Sequence, residues 1–256
     1  MRRRDFLVKV PPVVALTFIA PSALSAAAPA QQSPIDIITD DAVFDHSLPR
    51  LKFRYESNVA VQLSYISRDS GVPLGCSLRD HEEVVQAAVP AGAGLLRIGD
   101  TIWDLVQFHW HRRSEHRING RDAPMEQHFV HRAGDGRLLV VGVFIREGHG
   151  KDSLNRIFQQ LPQECAGTVP VPGIDLDELL PGNRSSFRYS GSLTTSPFTE
   201  GVSWVVLPAP IRLGESGIER YRALFPDGNS REVQPRDGRI VRFRPQGKSV
   251  GTLSAV

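Results

Sequence analysis

The chain has little cysteine: two in 256 residues, Cys76 and Cys165. Two thiols so far apart exclude a thiolate metal cage, so any zinc must be held by histidine. A disulfide and two free thiols are equally compatible with the sequence, which does not bring the two Cα atoms within bridging distance. An excess of charge of either sign is also missing. The formal net charge is +2 and no basic run is long enough to line a nucleic-acid groove, so nucleic acid is excluded as a partner. Continuous apolar runs are missing except near the N-terminus, and nothing repeats internally. What remains, at 41% hydrophobic residues, is a soluble chain. It is large enough for one big domain or two small ones, with a small-molecule task.

The N-terminal run reads as an export signal over residues 1–30. Arg2 to Arg4 supply a positive start, Val10 to Leu24 form an apolar stretch broken by Pro11 and Pro12, and small residues follow in SAAAPA. Arg3-Arg4-Asp5-Phe6-Leu7-Val8-Lys9 resembles the twin-arginine signature, which implies a bacterial protein exported already folded. An uncleaved anchor is the competing reading. The run is short for a span, and its prolines and alanine-rich exit favour cleavage after Ala26, Ala28 or Ala30. The expected location is periplasmic or secreted, with no stable membrane anchor after cleavage.

Five of the eight histidines crowd into Gln107 to His131: His109, His111, His116, His128 and His131. In extended strands side chains alternate faces. His109 and His111 then share one face with Trp110 opposite, while Glu126, His128 and Val130 share another. If the intervening GRDAP turns, as Gly120 and Pro124 suggest, two adjacent strands bring His109, His111 and His128 together. Three neutral imidazoles with a fourth position open are the pattern of a catalytic zinc site.

Strand-like alternation recurs in VAVQLSYI (Val59 to Ile66) and in Leu95 to Ile98 with Ile102 to Phe108 across Gly99-Asp100, read as neighbouring strands joined by a tight turn. Leu138 to Ile145 and Ser203 to Leu207 are apolar on both faces, as strands inside a covered sheet should be. Ser153 to Leu161 and Ser216 to Phe225 read as helices, the second opening on a Ser216-x-x-Glu219 capping box. The pattern predicts a mainly β single domain with short peripheral helices over residues 31–243. Residues 244–256 have little to pack and are expected to form a mobile tail.

Six ordered blocks resemble the α-class carbonic anhydrases. They are Gln32-Ser33-Pro34-Ile35-Asp36-Ile37, QFHWHRRSEH at 107–116, Glu126-x-His128-x-Val130-His131, Tyr189 to Thr195, Val202 to Leu207, and Gln234-Pro235 followed by Arg239. The resemblance implies a large twisted, mostly antiparallel sheet and a zinc lyase interconverting carbon dioxide and bicarbonate. It makes His109, His111 and His128 the Zn2+ ligands, a water taking the fourth place with its pKa brought to roughly 7. Thr194 and Glu115 match the pair that orients the nucleophile, Thr195 a second polar contact for bicarbonate, and Gln107 and Glu126 the groups that set the tautomers of His109 and His128. The carbon dioxide pocket is implied to be Val130, Val140, Leu193, Val202 and Trp204.

The chain also departs from that family. The aromatic-rich segment that usually precedes QSPI, with its tyrosine, is absent, and Phe198 stands where exported relatives often place a disulfide cysteine. Aligning through Gln86 puts Glu83 at the position of the proton-shuttle histidine, so His81, two residues away, serves only if its loop is rearranged; slowed proton exit is the expectation. His116 and His131 read as supporting or structural residues, and His46 and His149 as loop residues in solvent. Two further functions compete. His109-x-His111-x-x-x-Glu115 followed by Gly120 resembles a cupin metal motif, which would make Glu115 a ligand. A catalytically weak or inactive carbonic anhydrase-like binding module is the other. The sequence leaves the oligomeric state open.

Overall fold

The computed structural model describes residues 30–66, 83–163 and 166–247. In chain order the first strands are β1 (Asp36–Ile37), β2 (Val43–Phe44), β3 (Leu51–Tyr55), β4 (Val59–Ile66), β5 (Val84–Ala88), β6 (Gly94–Ile98) and β7 (Thr101–His111). They are followed by β8 (Arg117–Ile118), β9 (Met125–Ala133), β10 (Leu138–Glu147), helix α1 (Asp152–Phe158) and β11 (Val169–Ile174). The chain ends with β12 (Ser186–Ser192), β13 (Glu200–Leu213), helix α2 (Glu215–Leu224) and β14 (Arg242–Arg244).

Among the described residues, twelve strands form one mixed sheet with the backbone order β11-β4-β5-β7-β9-β10-β13-β12-β14-β2; off this path β6 pairs with β7, and β3 with β6. Most pairings are antiparallel; β10 with β13 and β14 with β2 are parallel. The β6–β7 hairpin turns at Gly99, whose φ of +59° suits a residue without Cβ. β4 is not its neighbour, however, because β5 lies between β4 and β7.

Strand alternation divides the core. One face buries Phe108, Trp110, Phe129, Leu139, Val141 and Val205 together with both helices. The other buries Ile35, Ile37, Val140, Tyr189, Val202 and Trp204. β10 is apolar on both faces because it contributes to both clusters, Leu139 to one and Val140 to the other. Truncating a fully buried ring such as Trp110 would cost about 3–5 kcal/mol.

Three expectations are corrected. α1 ends at Phe158, not Leu161, just before the Leu161-Pro162 step that disfavours helix. α2 begins at Glu215 with Gly214 as its N-cap and no side-chain cap, so Ser216 sits inside the first turn and the capping box does not form. Arg244 closes β14, and Gln246 binds the Leu51 N–H (2.8 Å) and C=O (2.7 Å), so the packed domain runs past 243.

Candidate metal centre and active site

β7 and β9 run antiparallel in a register that sets His109 opposite His128 and His111 opposite Glu126. The ligand atoms of His109, His111 and His128 lie within 4.8 Å of one another, and all three residues are buried. The outward nitrogen of each ring is already committed. Nδ1–H of His109 donates to Gln107 Oε1 (2.9 Å), Nδ1–H of His111 to the Asn229 carbonyl (2.9 Å), and Nε2–H of His128 to Glu126 Oε1 (2.9 Å). These bonds leave Nε2, Nε2 and Nδ1 as the respective donor atoms. His111 Nε2 is buried with no hydrogen-bond partner, a cost that a metal ion would remove. Burial pushes the His111 imidazole down to about 4 and lowers His128 as well, so both rings are neutral as ligation requires. The donor set fits Zn2+.

Behind His128 a buried chain of hydrogen bonds holds the ligand in place. Glu126 Oε1 also accepts from His116 Nδ1 (2.8 Å), and Oε2 accepts from the His116 backbone N–H (2.8 Å). His116 Nε2 then accepts from the Tyr189 hydroxyl (2.7 Å), which accepts from Ser33 Oγ (2.9 Å). Burial alone would raise Glu126, but His116 and His128 hold it well below the ordinary carboxylate range. His116, Glu126 and His128 also converge closely enough for a metal, yet their mutual bonds already use those atoms. His116 is therefore a buried support, not a surface residue. His131 lies on the other face, donating Nδ1–H to Phe129 O (3.0 Å) and accepting from Tyr55 Oη (2.7 Å).

Glu115 is buried next to the ligands, its Oε2 3.7 Å from His128 Nδ1. It shares a hydrogen bond with the Thr194 side chain and accepts from the Arg231 backbone N–H at 2.9 Å. Burial pushes its carboxyl up to about 7, against the pull of His128 and these two hydrogen bonds. In front of the ligands a cavity of about 350 Å³ is lined by His109, His128, Val130, Val140, Leu193, Thr194, Thr195 and Trp204, with Gln86 and Gln107. Val202 is not in that wall. It pairs with Gly191 beside the β12–β13 register shift and is 1% exposed within the second core cluster. Glu83 is also absent from the wall: it is fully buried and accepts from Tyr65 Oη at 2.5 Å. His81, Cys76 and Cys165 lie outside the described residues.

Residues 21–245 match the eukaryotic-type carbonic anhydrase family. The chain belongs to that family. A carbonic anhydrase of Pectobacterium atrosepticum is 38% identical over 159 residues, covering 61% of this chain and 64% of the relative. One from Neisseria gonorrhoeae is 30% identical over 210 residues, covering 82% and 76%. Among solved structures, the α-carbonic anhydrase of Thermovibrio ammonificans in complex with sulfanilamide aligns at TM-score 0.71 and 33% identity, covering 83% of this chain and 86% of that one. The match spans 64% of the length of the Pectobacterium and Nostoc relatives.

Membership removes the cupin reading, and the geometry agrees: Glu115 stands outside the group of converging ligand atoms and is engaged by Thr194 and Arg231. Several carbonic anhydrase site residues had no signal in their own side-chain type. Asn229, fully buried, serves His111 through its backbone oxygen, while its side chain accepts from Arg112 N at 2.7 Å and donates to Glu83 O at 2.8 Å. Arg231 ties the Ser33 carbonyl (2.7 Å) to the Glu115 segment. Gly142 faces His128 across β9–β10, where a Cβ would stand 2.6 Å from Glu126 Oε1.

Proposed function

We propose that this chain is a zinc-dependent carbonic anhydrase (a carbonate dehydratase) that reversibly hydrates carbon dioxide to bicarbonate and a proton. The observation that carries this reading is the trio His109, His111 and His128, each with its second nitrogen bonded away, beside the Thr194–Glu115 hydrogen bond. When bound, zinc supplies the Lewis acidity that brings a water's pKa to roughly 7. The protein supplies position. Glu115 accepts from the Thr194 hydroxyl, which leaves the Thr194 oxygen to accept the nucleophile's proton and aim its lone pair at carbon. The Thr194 backbone N–H and Thr195 receive substrate oxygens. Val130, Val140, Leu193 and Trp204 offer carbon dioxide an apolar wall, in a cavity that Arg132 also lines. By analogy with the Thermovibrio complex, aromatic sulfonamides would inhibit.

We further propose that proton exit depends on external buffer. Glu83 is buried against Tyr65, and among the described residues the only histidines lining the cavity are His109 and His128. Stopped-flow hydration on metal-analysed protein tests both readings. Activity stoichiometric with zinc that climbs with buffer concentration supports them; zinc-loaded protein without activity at any buffer concentration refutes the first. Buffer-independent turnover refutes the second. For location, the Arg3-Arg4 signal supports a periplasmic or secreted protein, and Arg3→Lys with Arg4→Lys would retain it in the cytoplasm. Unchanged export in that variant would refute the twin-arginine route.

A further inference from the structure

On the sheet face opposite the metal, a second groove of about 440 Å³ crosses the ends of β7, β10, β12, β13 and β14. Its floor is apolar: Trp103, Leu139 and Val205 belong to the larger core cluster, and Ile240 at its edge is 61% exposed. Its charged lining is of one sign. Arg137, Arg188 and Arg242 contribute to it and no carboxylate does.

The three arginines are not equivalent. Arg137 is paired with Asp135 at 2.7 Å and Arg242 with Asp45 at 2.9 Å, both acids outside the groove. Arg188 donates Nε–H to Ser186 Oγ at 3.1 Å, and its Nη2 is buried with no acceptor. The β12–β14 register sets Arg188 directly opposite Arg242, a like-charge pairing that destabilises a sheet unless something anionic offsets it. Trp103, 4% exposed beneath Arg137, also has an indole N–H without an acceptor. Burial, with Arg244 nearby, lowers Arg188 to about 10, which leaves it cationic at neutral pH.

We propose that this groove binds a small organic monoanion, a carboxylate on a flat apolar body, independently of the metal centre. The apolar body lies on the Trp103–Leu139–Val205 floor against Ile240. The head group sits between Arg188 and Arg242, where a guanidinium fork matches a carboxylate. Leu139 and Val205 alternate along their strands with Val140 and Trp204, so the groove's apolar floor faces away from the catalytic cavity, although Trp204 borders both.

Isothermal titration of 2-naphthoate into the full chain, zinc-loaded and chelator-treated, should reveal one site of equal affinity in both forms. Arg188→Gln should weaken it by about tenfold, the loss expected from one charge-assisted pair. Ile240→Glu, at an exposed position that spares the core, should weaken it comparably, and neutral 2-naphthamide should bind poorly. Of the three tryptophan indole resonances in a ¹⁵N spectrum, that of Trp103 should move on titration. Absence of binding at millimolar naphthoate, binding unaltered in both variants, or binding only when zinc is present would each overturn the proposal.

Discussion

Gly142→Ala should cripple the metal site without touching a ligand. The new Cβ would lie 2.6 Å from Glu126 Oε1, against a floor of 3.0 Å for real Cβ contacts, so the oxygen must retreat by about 0.4 Å. Normally the far end of a glutamate moves cheaply. Here Oε1 accepts from His116 at 2.8 Å and His128 at 2.9 Å inside a fully buried setting. A retreat of that size takes both bonds from near-optimal length to or beyond the ~3.2 Å limit of the normal range. Disturbing a partner that fixes a ligand's ring costs about 10–100-fold in metal affinity, and partly unmaking buried charge-assisted bonds costs about 1–3 kcal/mol of stability. Chelator competition measures the zinc affinity, and thermal unfolding of the metal-free protein measures stability. Gly134→Ala is the control, since a Cβ there meets nothing within 4 Å. Wild-type zinc affinity in a folded Gly142→Ala protein would show that Glu126 is not restrained as described.

Three other outcomes follow from the same geometry. His111→Ala should abolish metal retention, and stoichiometric zinc recovered from that variant by elemental analysis would remove His111 from the ligand set. Thr194→Ala should keep zinc yet lose roughly 10²-fold or more in stopped-flow rate, as for one preorganised catalytic hydrogen bond; an unchanged rate would mean that the orienting pair is misassigned. Burial holds His131 at about 4, below its ordinary 6.5. The unfolded chain therefore binds the proton more readily, and His131's contribution is complete above pH 6.5 and lost as pH falls toward 4, up to about 3 kcal/mol. Urea unfolding at pH 7.5 and pH 5 should show a smaller acid loss in His131→Gln than in the parent; equal losses would refute this.

The ligands were legible before the structure because strand alternation converts spacing directly into direction. His109 and His111 two apart, and Glu126 and His128 two apart, need only one hairpin register to meet, and that register forms. Gln107 and Glu126 were legible only through the family resemblance, and the structure places each two residues before the ring it serves. The unread part of the site acts through chemistry that side-chain type does not display. Asn229 presents a peptide carbonyl to His111 from 118 positions away, a role any residue with that backbone path could fill. Gly142 contributes by lacking an atom. Val202 alternates correctly on β13 and packs in one cluster with Val140 and Trp204, without itself lining the cavity. The Ser216–Glu219 box failed on a local competition: Gly214 takes the N-cap position first, and the serine becomes an ordinary residue of the first turn. Spacing thus predicts which side chains can converge, while the backbone groups and absent atoms that hold them at bonding distance depend on strand register. The decisive comparison is accordingly between Asn229→Ala and Asn229→Asp. Both keep the carbonyl that receives His111, so if position alone matters, the milder loss of zinc affinity should fall to Asp, which can still accept from Arg112 N. Equal losses would mean that the donor half of the amide, bonded to Glu83 O and Trp110 O, sets the carbonyl's place.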